Sequence, residues 1–271
     1  MDTIHKIYIG DAEAQLKKIP DNFFQLMVTS PPYWNVRDYG HKKQIGRHDT
    51  LEKYLDRLNR VWKEVVRTLL PDGKIALNIG NIYYSKDGEK RRTTANLSLL
   101  TWEQLNKIEE LRFMGTIYWQ KTTSRDGSVL FGSYPYPSNF MISNAVEPIH
   151  IFRKAGNRQV SKEIKERSKV TLDEFRKFRD AIWNDINGVG DKHCAAYPLE
   201  LPSRLIKMFS YVGDWILDPF LGSGTTMKAA KNLERNSVGI ELNPKYREII
   251  FEKVGIKQRD IFSNAKFEII K

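Results

Sequence analysis

The stretch Asp214-Trp215-Ile216-Leu217-Asp218-Pro219-Phe220-Leu221-Gly222-Ser223-Gly224-Thr225-Thr226 decides the fold. Its apolar head reads as a buried strand. Gly222 and Gly224 let backbone approach a ligand closely before a helix runs from Thr225 to about Leu233. Ser237-Val238-Gly239-Ile240 reads as the next strand and delivers Glu241 at its end. Strand, glycine turn, helix, strand and acid make the βαβ arrangement for an adenosine-containing cofactor. Glu241 lies roughly twenty residues past the glycines, placed to accept hydrogen bonds from a ribose diol.

Charge narrows the cofactor. A phosphate-binding loop would carry Gly-Lys-Ser/Thr at the end of the turn, and a dinucleotide turn would carry a third glycine near Met227; this turn has neither. Asp218 at its head suits a cationic or amine-bearing ligand. S-adenosylmethionine fits, with a sulfonium, an α-amino group, a ribose and no phosphate.

A second turn sits near the amino terminus. Phe23 to Val28 reads as a buried parallel strand, and Thr29-Ser30-Pro31-Pro32-Tyr33-Trp34 follows it. Two prolines end the ladder because neither donates a backbone hydrogen bond, and each holds the residue before it out of the helical region. The result is a stiff turn presenting a hydroxyl, a backbone carbonyl and an aromatic face, suited to gripping a planar amino group. Packing of Tyr33 and Trp34 in the core is the plainer alternative. Upstream, His5 to Ile9 reads as a strand closed by Gly10-Asp11. Asp11 is placed either for a ligand or as a helix cap.

The 271 residues carry a net charge of +11, which points to a polyanionic partner. One cysteine, Cys194, excludes an intrachain disulfide, and five scattered histidines show no metal-ligand spacing, so no metal site is expected. With no membrane-spanning run and no signal-peptide pattern, a cytoplasmic protein is expected. The stripe from Leu51 to Leu69 marks an amphipathic helix with Trp62 in the core, ended by Pro71-Asp72-Gly73. Lys74 to Ile79 and Thr116 to Trp119 read as strands, Leu97 to Leu111 as a helix, and Leu199 to Phe209 as another. Val146 to Phe152 reads as an edge strand, because Pro148 interrupts it. His41–Asp49 reads as a mobile loop over the active face, Tyr83–Thr94 as an exposed basic loop, and Lys121–Pro137 as a long polar, aromatic loop of the kind that is functional or disordered. Arg153 to Asp180 is a basic segment with a capping box at Thr171 and Glu174, either a solvated charged linker or a nucleic-acid contact.

Taken together, these motifs resemble a β-class amino-group DNA methyltransferase of the restriction-modification type. Asp218 to Thr226 is similar to the cofactor motif, Ser30-Pro31-Pro32-Tyr33 to the catalytic motif, Gly10-Asp11 to the adenine-side motif and Val238 to Glu241 to the ribose motif. His193 to Ile206 resembles the helix preceding the cofactor strand, although Cys194-Ala195-Ala196-Tyr197 stands where prolines and phenylalanine are more usual. The order, catalysis first and cofactor last, is that of the class. The resemblance implies an α/β, Rossmann-like methyltransferase fold with circularly permuted motifs. It implies a catalytic half over 1–152, a target-recognition insertion over 153–190 and a cofactor half over 191–271. It further implies Ser30, Pro31, Pro32 and Tyr33 as catalytic, and Asp11, Asp218, Phe220, Gly222, Ser223, Gly224, Thr225 and Glu241 as cofactor-binding. Double-stranded DNA is the expected partner, with a companion restriction endonuclease and a homodimer as further implications. Serine before Pro-Pro-Tyr resembles the N4-cytosine members more than the N6-adenine ones; a catalytically silent DNA-binding protein is the rival of another class.

Overall fold

The computed structural model describes residues 2–85, 92–121, 136–138, 142–186, 197–256 and 265–270. The amino-terminal half runs β1 (Ile4–Ile9), α1 (Ala12–Leu16), β2 (Phe24–Thr29), α2 (Leu51–Thr68), β3 (Leu69–Asn78), the hairpin β4 (Ile82–Ser85) and β5 (Arg92–Ala95), α3 (Leu97–Asn106), β6 (Leu111–Gln120) and β7 (Val146–Lys154). Then come α4 (Lys162–Arg167), α5 (Leu172–Phe178), β8 (Ile182–Trp183), α6 (Glu200–Phe209), β9 (Trp215–Asp218), α7 (Thr225–Asn232), β10 (Asn236–Glu241), α8 (Arg247–Val254) and β11 (Lys266–Ile270).

One nine-stranded sheet takes strands from both halves of the chain, in the order β11-β1-β10-β9-β2-β3-β7-β6-β8. Only β7 runs against its neighbours. β9 pairs in parallel with β2, Leu26 opposite Ile216 and Met27 opposite Leu217. The chain leaves β2 through α2 on one face and leaves β9 through α7 on the other. This is the switch point at which an open α/β sheet forms a ligand crevice beyond the carboxyl ends of its strands. Alternation along β2 divides the core accordingly. Met27 joins Leu58, Trp62, Val65 and Leu217 beneath α2, while Leu26 and Val28 join Leu205, Ile206, Ala229 and Ala230 beneath α6 and α7.

Several expectations change. β7 is an interior strand between β3 and β6, not an edge. Pro148 is tolerated because it lies just past the last β3 pair, Asn78 with Ile149. There its carbonyl accepts from Ile79 N–H at 3.1 Å and no donor is called for. α2 stops at Thr68, so Pro71-Asp72-Gly73 lies inside β3. Asp72 has φ 64°, and the β2 pairing shifts register between Phe24 and Leu26. α3 is shorter than its pattern and yields to β6 from Leu111. Tyr83–Ser85 and Arg92–Thr94 belong to a hairpin rather than a loop; residues 86–91, 122–135 and 187–196, His193 to Ala196 among them, lie outside the described residues.

The basic segment begins under the amino-terminal end of the sheet, opposite the crevice. Lys154 Nζ donates to the carbonyls of Val66 and Leu69, each at 2.8 Å, and Arg158 pairs with Asp214 just before β9. Ser168 Oγ accepts from Val212 N–H, and Lys207 on α6 holds Glu174 on α5 at 2.6 Å. The capping box at Thr171 and Glu174 is present. Much of the positive charge is therefore paired within the fold. Arg167, Lys169, Arg176 and Lys177 meet Glu234, Glu166, Asp173 and Asp185. β8 then turns back alongside β6 in parallel, towards the crevice end.

Candidate active site

Both turns meet in the crevice. Thr29, the last residue of β2, donates its hydroxyl to Asp218 Oδ1 at 2.7 Å, joining the Ser30-Pro31-Pro32-Tyr33 turn to the head of the glycine turn. Asp218 is 4% exposed and also accepts from Phe220 N–H at 3.1 Å. Beside them a cleft of about 220 Å³ is lined by Asp11, Ser30, Pro32, Asp218, Phe220, Gly222, Ser223, Thr225 and Glu241 among others. Three carboxylates, a hydroxyl row and an aromatic ring thus face one space.

Each acid is held by backbone. Glu241 accepts from Gly222 N–H at 2.9 Å and from Asn243 N–H at 2.8 Å, which fixes the carboxylate and leaves lone pairs for a diol. Asp11 caps α1, taking Ala14 N–H at 3.1 Å, and lines the cleft as well. Gly222, with φ 53°, has no atom closer than 3.9 Å to where a Cβ would stand, leaving its backbone open to a ligand. Gly224 departs from expectation. It does not line the cleft; a Cβ there would press on Val254 and Ile250 of α8 at 3.1 and 3.3 Å, so its role is to seat α7 at φ 90°. Pro31 and Tyr33 do not line this cleft. The Tyr33 hydroxyl accepts from Gly80 N–H at 2.8 Å and is bonded to the Ser30 hydroxyl, so ring and serine are positioned together.

Sequence reasoning missed several contributors. Tyr197 lines the cleft and bonds Thr226 through its hydroxyl. Residues 37–45 roof the cleft and do not stand free. Arg57 holds the carbonyls of Lys43 and Gln44, Gln44 bridges Tyr39 N–H and the Arg37 carbonyl, and Asn243 Nδ2 reaches the Tyr39 carbonyl at 2.8 Å. Signals existed for Asn243, two residues past Glu241, and for the roof from His41 onward, which falls in the loop read over the active face. The rest come from segments remote in sequence.

Burial pushes the Asp218 carboxyl up to about 6, against hydrogen bonds from Thr29, Thr226 and Phe220. Burial likewise pushes Glu241 up to about 7, with the nearby Asp218 adding to the shift. The donor set fits S-adenosylmethionine: acids for the cationic centres and the diol, open glycine backbone, and a glycine turn without a phosphate-binding lysine. A cationic ligand selects the ionised acids, so binding expels the protons they hold below these values. Affinity is therefore expected to rise with pH through about 6 to 7 and then level off. Below that range it falls by up to about tenfold per pH unit for each group. Calorimetric titration with S-adenosylmethionine between about pH 5.5 and pH 8 checks this, with proton release near neutrality visible as a dependence on buffer ionisation heat. A flat profile would show that the two acids are already ionised without ligand.

A permuted Rossmann-like sheet with an acid-headed glycine turn beside Ser-Pro-Pro-Tyr defines an S-adenosylmethionine-dependent amino-group methyltransferase. The DNA methylase family model matches residues 24–252, most of the chain. The Type II methyltransferase M.MjaI of Methanocaldococcus jannaschii is 32% identical over 303 aligned positions, covering 99% of this chain and 97% of the relative. The Thermus thermophilus protein TTHA0409, solved in complex with S-adenosyl-L-methionine, superposes with a TM-score of 0.80 at 32% identity, covering 98% of each chain. PvuII DNA methyltransferase (cytosine-N4-specific) shares the fold at a TM-score of 0.63 and 20% identity, over 99% of this chain and 96% of that one. The protein belongs to the N4/N6 amino-group DNA methylase family of restriction-modification type; it acts on DNA and uses S-adenosylmethionine. No helix among the described residues is long and apolar enough to cross a membrane.

Proposed function

We propose that the protein methylates the exocyclic N4 of cytosine in duplex DNA. The observation carrying this reading is Ser30: a neutral hydroxyl, not a carboxylate or amide, heads the Pro-Pro-Tyr turn on the cleft wall beside Asp218. A base cannot react within the stack, so the target is flipped into the crevice at a cost of about a few kcal/mol. Ser30 Oγ and the Pro31 carbonyl accept the amino N–H bonds and draw the nitrogen towards tetrahedral geometry, freeing its lone pair. Tyr33, tied through its hydroxyl to Gly80 and Ser30, offers its ring to the base. When bound, S-adenosylmethionine supplies an electrophilic methyl on a sulfonium. Asp218 and Glu241 hold the amino-acid and ribose ends, with Asp11 on the adenine side, while Phe220, Ser223 and Thr225 complete the wall. Positioning and fixed dipoles carry the rate.

The 1–152 and 191–271 halves each supply one wall of the crevice. Of the 153–190 insertion, we assign DNA contact to β8 and the residues after it up to Ile186, since β8 runs towards the crevice end beside β6; α4 and α5 attach the segment to the body. The test of the reaction is mass spectrometry of nucleosides from duplex DNA incubated with the protein and labelled S-adenosylmethionine. Label in N4-methylcytosine is expected. Label in N6-methyladenine would keep the fold and overturn the use made of Ser30.

A further inference from the structure

The cofactor turn occupies the β9 side of Ser30, so a base reaching Ser30 lies on the other side, over the ends of β3, β7 and β6. The register there lines up four polar residues. Thr29 pairs with Leu77, which sets Ser30 level with Asn78; Asn78 pairs with Ile149, and Trp119 with Glu147. Strand alternation then puts Ser30, Asn78, Glu147 and Lys121 on the face of Val28, Ala76, Ile149 and Trp119. Glu147 is the hub. It is 6% exposed, accepts from Asn78 Nδ2 at 2.9 Å and pairs through Oε1 with the Lys121 ammonium. Tyr33 feels its charge, which places the pair beside the catalytic turn. The Asn78 amide nitrogen being spent on Glu147, its Oδ1 is left buried without a hydrogen-bond partner, whereas the Lys121 side chain keeps 30% of its surface. A buried acceptor left unpaired is unfavourable, and a bound N–H group relieves it.

We propose that this row reads the ring edge of the flipped base: Asn78 Oδ1 shares with Ser30 Oγ the one amino N–H that the Pro31 carbonyl does not take, and Lys121 donates to cytosine O2. The assignment rests on the cytosine reading above. Along its edge cytosine offers an amino donor, the N3 acceptor and the O2 acceptor. Adenine offers an amino donor and the N1 acceptor, then a C–H where O2 would be. The Lys121 ammonium, already held by Glu147, gains a second acceptor in cytosine O2 and gains none from that C–H, so the row favours cytosine. Glu147 does not touch the base; it is a positioning residue that orients both readers.

The test uses duplexes carrying the protein's own site, mapped by sequencing methylated DNA, with either cytosine or a 2-aminopyridine C-nucleoside at the target. The analogue keeps the amino group and ring nitrogen but has C–H in place of O2. Wild-type protein is expected to methylate the analogue at least about tenfold more slowly than cytosine in single turnovers. Lys121→Met should lose about that factor on cytosine and nothing further on the analogue, with S-adenosylmethionine affinity unchanged. Glu147→Gln should narrow the difference in the same direction. Equal wild-type rates on both targets, or a Lys121→Met loss of the same size on both, would overturn the O2 contact while leaving cytosine methylation standing. Adenine as the mapped target would overturn the cytosine reading and the contact with it.

Discussion

Asp218→Asn is expected to weaken S-adenosylmethionine binding by about a hundredfold or more while the protein stays folded. Asp218 is buried where β9 enters the glycine turn, and the asparagine amide oxygen can still accept from the Thr29 hydroxyl and Phe220 N–H. What disappears is the negative charge opposite a cationic ligand in a poorly solvated cleft. Removing one partner of a buried charge pair costs about 3–5 kcal/mol, and each 1.4 kcal/mol is about tenfold in affinity. Calorimetric titration measures the loss, and an unchanged thermal transition shows that the Thr29 link survives. The variant should also lose the lower step of the pH dependence, because the group titrating near 6 is gone. Affinity within about threefold of wild type would remove Asp218 from the cofactor site.

Ser30→Ala should do the opposite: S-adenosylmethionine affinity is retained and the methyl-transfer step slows by about a hundred- to a thousandfold, the usual cost of removing one preorganised hydrogen-bond partner at the reacting centre. Ser30 lines the cleft and is bonded to the Tyr33 hydroxyl, which Gly80 N–H holds from the other side. Alanine removes the acceptor for the amino N–H but leaves both prolines, and so the turn, unchanged. Single-turnover methylation at saturating cofactor and DNA separates this from a binding effect. A rate within a few fold of wild type would shift the amino-group contacts to the Pro31 carbonyl and Asn78. Parallel losses in rate and cofactor affinity would instead mean that the turn itself had moved.

Both predictions concern residues legible in the amino-acid sequence, because local chemistry dictates them. A Pro-Pro pair stiffens whatever precedes it, and a positive-φ glycine after a strand opens backbone to a ligand. An acid at a strand's carboxyl end in a βαβ unit faces the crevice. The amphipathic stripe of α2 likewise buried Trp62 as its spacing required. Readings failed where the deciding term was long-range. Pro148 marked an edge by local rule, yet β7 is interior because the proline falls just past the end of β3, a matter of register between strands some seventy residues apart. Gly224, read as a ligand glycine, does not line the cleft and packs against α8, which arrives from later in the chain. The charge run after Arg153, read as a solvated linker or a nucleic-acid contact, carries ion pairs to Asp214 and Glu234 that no local pattern announces.

By itself the sequence determined the class of fold, the cofactor, the permuted order and most residues of the two turns, because each motif is a short stretch whose conformation and charge are set by neighbours along the chain. Only the tertiary structure decided that Thr29 joins the two turns through Asp218, which residues of the 37–45 loop line the cofactor cleft and what ties them down, and that Asn78, Glu147 and Lys121 stand in one row with Ser30. Those facts depend on which strands lie side by side and in what register. Burial of both sheet faces fixes that register, and no local pattern encodes it.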